Sequence, residues 1–297
     1  MSAIEHSDVV EPLPPLTPQR QFARAALVTA AVGCLVLAVH LGVISGLQQR
    51  AAQSRAFNDF REQLAIGTAP IGPTDERGAL LDLGTPVAHL RIPAIGVEQV
   101  VGEGTTSDVL FDGPGHRRDT PLPGQEGTSI VMGRRALFGG PFGGLGSLTP
   151  GDQMIVTTGQ GEFTFEVFGI RRDGDPSPAR APAGTARLTL ITAAGAPFLP
   201  EGALRVDAAL VGTAVGGAQR PFTAATLPSA ERLMETDPGT VWALAMWLQS
   251  LIVVLVAAVW SWHRWGRAQT WIVFATPVLL IVAATSGEAA RLLPNVM

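Results

Sequence analysis

Leu188-Thr189-Leu190-Ile191-Thr192-Ala193 alternates and is rich in β-branched side chains, which predicts a strand. Working outward, Glu162-Phe163-Thr164-Phe165-Glu166-Val167 alternates strictly, so Phe163, Phe165 and Val167 should share one buried face. Met154-Ile155-Val156 follows the turn residues Pro150-Gly151-Asp152 and reads as another strand. Many short strands separated by Gly and Pro predict an all-β barrel or sandwich.

The first stretch resembles the TLxTC strand of the sortase family, the cysteine transpeptidases of Gram-positive cell walls, with Ala193 where that motif ends in its nucleophile. Four more segments resemble the family in the same order. Leu90-Arg-Ile92-Pro93-Ala-Ile95-Gly96-Val97 matches "L.IP.IGV", and Gly113-Pro-Gly115-His116 with Leu122-Pro123-Gly124 matches a "GPGH…LPG" turn. Ile130-Val131-Met132-Gly133-Arg134-Arg135 with Phe138 to Leu145 is similar to "GHR…F…PF..L", which puts the catalytic histidine on Arg134. Ala203 to Val211 resembles "RLVV.A.LV", which puts the oxyanion arginine on Ala203.

The resemblance covers roughly residues 86–213, has class E/F-like motifs, and implies a closed barrel of about eight strands. It implies a degenerate site as well. The family's thiolate attacks a threonyl–glycine bond of a sorting signal, its histidine protonates the leaving amine and its arginine stabilises the oxyanion. Arg134, Ala193 and Ala203 supply none of these roles. No catalytic residue is therefore assigned, and the expectation is a pseudosortase.

Composition agrees. The only cysteine, Cys34, lies in an apolar run, far from any base that could make it a thiolate. The net charge is −4 and there is no lysine, so nothing marks a nucleic-acid surface. No histidine or carboxylate spacing supports a metal, and no cofactor is implied. The run Gly139 to Gly144 is not a phosphate loop, since no Lys-Ser/Thr follows.

The flanks read as membrane segments. Residues 1–24 form a polar, Pro-rich disordered cytoplasmic tail, and 25–47 is long enough to span a bilayer, with Gln48-Gln49-Arg50 marking the exit of an uncleaved anchor. Within it, His40 reaches the interface. Residues 48–85 give a stalk helix with Phe57, Phe60 and Leu64 on one face, then a Gly/Pro linker. Residues 214–240 form a second linker with a short helix from Pro228 to Glu235 capped by Ser229. Two spans follow at 241–262 and 270–287, with tryptophans suited to interface belts. Arg264 and Arg267 between them, and Arg20 and Arg24 near the start, favour the cytoplasmic side, which leaves the barrel extracellular.

Arg134, Thr192 and Arg205 are the candidate ligand-binding residues. Residues 203 and 205 share a strand face, so Arg205 could take its guanidinium toward the lost arginine's place. With Arg134 and Arg187 it would form an anion pocket, since arginine forks suit carboxylate and phosphate. Three readings follow. The domain binds or scaffolds a sorting-signal peptide, a wall polymer or another membrane protein docked on the C-terminal helices. Alternatively it is a hydrolase or transferase using Thr192 or His116, or a structural subunit whose groove is closed by Gly139 to Gly144.

Overall fold

The computed structural model describes residues 17, 20, 24, 31, 35, 36, 38–196, 199–218, 220–235 and 240–297. Most of the expected tail, most of the first span and Cys34 lie outside the described residues. Eight strands close into one barrel: β1 (Pro86–Ile92), β2 (Val97–Glu103), β3 (Gly115–His116), β4 (Gly127–Met132), β5 (Gln153–Thr158), β6 (Gly161–Arg172), β7 (Ala186–Ala196) and β8 (Leu199–Leu210). Their order around it is β1-β2-β3-β4-β7-β8-β6-β5, with β2/β3 and β4/β7 parallel and the other pairs antiparallel. Strand β7, which carries Leu188 to Ala193, is central. It pairs with β4 and β8 and is buried on both faces, hence its nearly unbroken apolar run.

Period-2 alternation decides what fills the barrel. Leu188, Leu190 and Ala194 of β7 point into the main core with Phe163, Phe165 and Val167 of β6. Phe165 is fully buried there, and Phe165→Ala should cost about 3–5 kcal/mol in unfolding experiments on the detergent-solubilised chain. The odd residues Ile191 and Ala193 face outward into a second, smaller cluster with Ala203, Met132, Leu110 and Val296.

Helix α1 (Ser45–Ile66) continues from a π-turn at His40–Ile44 and packs along the barrel instead of standing free as a stalk. Phe60 is buried against Val100, while Phe57 meets His89 edge-on at 5.2 Å. The Gln53 amide accepts from the Val100 N–H and donates to the carbonyls of Val100 and Asp112. His40 is buried; it does not reach outward.

The segment after β8 is a packed strap. Val215 bridges to Gln125, and Leu233 and Met234 pack on the second cluster. The expected helix from Pro228 to Glu235 shrinks to a 3-10 turn at Ser229–Glu231 with no side-chain cap. The reason is local. Glu231 is drawn into a buried ion pair with Arg118, and Met234 sits at φ 61°, which no α-helix accommodates.

Short helix α2 (Ser107–Asp112) lies between β2 and β3, and helices α3 (Thr240–Trp265) and α4 (Arg267–Arg291) follow the strap and pack on each other. The apolar stretches Thr240–Trp262 and Ala268–Arg291 have mean hydropathies of 2.2 and 1.8 and lengths of 23 and 24 residues, enough to cross a membrane. The second is longer than the apolar run suggested, because Glu288 and Arg291 extend the helix and pair across one turn. Trp242, Ile252, Ile272 and Leu280 are exposed, so these are not the core helices of a soluble domain.

Candidate functional site

Three strand ends build the site. Ala193 and Ala203 are directly paired across β7 and β8, and the Gly133 N–H donates to Ile191 O at 3.0 Å, so the chain leaves β4 beside β7. Arg134, Ala193 and Ala203 therefore converge at one end of β4, β7 and β8. Gly133 permits this: a Cβ there would lie 2.5 Å from the Phe142 ring.

Arg134 is completely buried, and none of its side-chain nitrogens has a hydrogen-bond partner among the described residues. Its guanidinium lies over Phe111 at 4.5 Å and Phe138 at 5.3 Å, two rings stacked on each other at 4.0 Å. Burial pushes its pKa down to about 9, opposed by the charge of Asp108. It is thus still a cation near neutral pH and cannot exchange protons as an imidazole would. Helix α2 supplies Phe111, and Phe138 holds a positive φ of 51° to reach its place.

The structure separates the other candidates from this point. Thr192 lies opposite Ala193 in the strand alternation, fully buried, and its hydroxyl has no partner among the described residues. It is not on the Arg134 face. Arg205 does share the face of Ala203, but its Nη1 donates to Asp173 Oδ1 at 2.6 Å. That bond, with a second from the Ala203 N–H, holds the Asp173 carboxyl below its ordinary range. Arg205 meets Arg187, Arg171 and Arg117 in a cleft of about 290 Å³ that Arg134 does not line. The expected three-arginine anion pocket is thus split in two, because the 134 side chain turns under α2 while those of 187 and 205 lie along the outer sheet face.

His116 is buried at the β3 turn, with Nδ1 2.8 Å from Glu103 Oε2 and Nε2 3.0 Å from Pro121 O. It is a turn histidine with both ring nitrogens bonded. Among the described residues no group of histidines, cysteines and carboxylates is arranged to hold a metal.

Sequence reasoning missed three residues. The Arg135 Nη1 donates to Ala193 O at 3.1 Å. The N–H groups of Arg135 and Ala193 both donate to Val296 O, at 3.1 and 3.4 Å, and Asn295 ties the same segment down. The Arg134-Arg135 pair was visible, but nothing local shows that one side chain is sealed while the other bonds across the site. No local signal marks residues 295 and 296, which lie far along the chain from their partners at 135 and 193.

Fold and site together define a β-barrel domain joined to helices long and apolar enough for a membrane. Residues 90–205 match the sortase domain family, and the chain is a sortase-family protein. Sortase D of Bacillus subtilis is 37% identical over 86 residues, which are 29% of this chain and 42% of that protein, so the chain matches less than half of that relative's length. Among solved structures, a Clostridium perfringens sortase D5 transpeptidase is 23% identical, covering 55% of this chain and 99% of its own, with a TM-score of 0.45. A sortase E variant from Streptomyces avermitilis is 30% identical over 51% of this chain and 100% of its own, with a TM-score of 0.38.

Proposed function

We propose that this is a membrane-anchored pseudosortase whose barrel, on the extracellular side, binds or scaffolds without catalysing transpeptidation. One observation carries the reading: the convergent ends of β4, β7 and β8 present two methyl groups and a sealed guanidinium with no hydrogen bond among the described residues. A nucleophile and a proton-exchanging group are both missing from that point, and losing the nucleophile alone normally removes most of an enzyme's acceleration. The ligand is a sorting-signal peptide or a wall polymer of a Gram-positive envelope, or a membrane protein docked on α3 and α4. Arg264 in the last turn of α3 supports a cytoplasmic end for the helix pair and an outer barrel.

The test is Ala193→Cys. This variant should not cleave an LPxTG-type peptide, because Arg134, protonated near neutral pH and sealed under two rings, cannot take up the thiol proton and pass it on as an imidazole does. Mass spectrometry of the reaction decides it, and cleavage by the single mutant overturns the reading. A purely structural role is the second reading. The segment seated on Ala193 favours it, and copurification from native membrane, with no peptide ligand but a stoichiometric membrane partner, would support it.

A further inference from the structure

The segment that follows α4, Leu292-Leu293-Pro294-Asn295-Val296-Met297, lies against the convergent strand ends. Its Val296 is fully buried among Met132, Ile191, Ala193 and Ala203, all residues of those ends. Two backbone donors from different elements, the Arg135 and Ala193 N–H groups, point at the single Val296 carbonyl oxygen. That is how a site built for a peptide grips one carbonyl, with main-chain donors for the backbone and an apolar pocket for the side chain.

Asn295, also fully buried, makes the grip specific. Its Nδ2 donates to Thr105 O at 3.1 Å and Arg232 O at 2.8 Å, while its Oδ1 accepts from the Met234 N–H at 3.1 Å and its own N–H donates to Glu235 O at 3.1 Å. The amide is fixed from two sides of the cleft, the loop before α2 and the strap. Leu293 packs with Leu137, Phe138 and Ala290, beside the rings that cover Arg134. Between them Pro294 turns the chain, its carbonyl accepting from the Met297 N–H at 3.0 Å. Four consecutive residues thus each have a place, and their pattern of Leu-Pro-x followed by a β-branched residue is also that of an LPxTG-type peptide.

We infer that the cleft is a peptide-binding site and that residues 293–296 are its resident ligand, held in cis. The inference rests on the non-catalytic binding reading of the same cleft and names its occupant. A free peptide of this class enters only after the segment leaves, and α4, which runs directly into the segment, ties that release to the helix pair.

The test uses the full chain in detergent with a protease site inserted between Arg291 and Leu292, cut after folding so that folding itself is not at issue. Val296→Asp serves as a second, uncut variant. Amide exchange at Arg135 and Ala193 should accelerate at least about tenfold in both, while strands β5 and β6 are unchanged. A synthetic peptide of residues 291–297 should restore protection at those two amides in the cut chain. It should bind the uncut wild-type chain at least about tenfold more weakly than the cut one, because the resident segment competes for the same site. Unchanged exchange after cutting and in Val296→Asp overturns the inference. So does faster exchange that the peptide fails to reverse, since the segment is then a part of the fold and not a ligand. Cleavage of the peptide would instead overturn the non-catalytic reading and leave the resident ligand standing.

Discussion

His116→Ala should lower the stability of the barrel toward the lower end of about 3–5 kcal/mol, because it takes the near partner from a buried carboxylate and leaves Arg220 beside it. Glu103 and His116 are both essentially inaccessible, and the imidazole is the near partner of Glu103, with Arg220 farther away at 3.5 Å. Removing the ring also abandons the carbonyl of Pro121. The unfolding midpoint should fall by on the order of 10 °C. Adding Glu103→Gln should recover part of the loss, since an amide in place of the charge lowers the penalty of burial. All six tryptophans lie between 242 and 271 and the chain has no tyrosine, so intrinsic fluorescence reports on the helices. The barrel is followed by amide exchange or far-UV circular dichroism. A loss below about 1 kcal/mol would show that the pair contributes nothing to the fold.

The opposite sign is expected at Arg134. Arg134→Met should stabilise the chain, by about 1–4 kcal/mol before the lost ring contacts are subtracted. Two cation–π contacts oppose this with about 0.5–2 kcal/mol each, and methionine sulfur against the same rings returns part of that. The ring contacts thus offset most of the gross gain, and the net stabilisation is small, about the 0.3–1.5 kcal/mol that the sulfur contacts return. The pH dependence follows from the lowered pKa. Folding disfavours the protonated guanidinium, so the penalty is fully present below about 9 and is relieved as pH rises through that value toward the ordinary arginine range. The gain from Arg134→Met should accordingly be flat through neutral pH and shrink in strong alkali, which thermal unfolding at several pH values checks. A clear destabilisation would mean that the guanidinium has an anionic partner in the purified protein.

Much of the barrel was legible in local pattern. Alternation placed Phe163, Phe165 and Val167 on one face, and the motif order placed Ala193 beside Ala203, which are paired in β7 and β8. Alternation also fixed the side of Arg205 but not the direction of its long side chain, which Asp173 decides from the loop after β6. Thr192 follows the same logic. Its neighbour faces the site, so it faces the barrel interior, and reading the motif as a continuous string hid that alternation.

The sequence alone determined the strand periods, the residue types at 134, 193 and 203, and the apolar lengths of the helices, because each is a property of residue type and spacing along the chain. Tertiary structure alone decided that Arg134 is sealed between Phe111 and Phe138, that the arginines fall into separate groups, and that Val296 sits on Ala193. Those contacts join residues distant along the chain, set by how the strands close and where α4 delivers the chain, and no local periodicity encodes them.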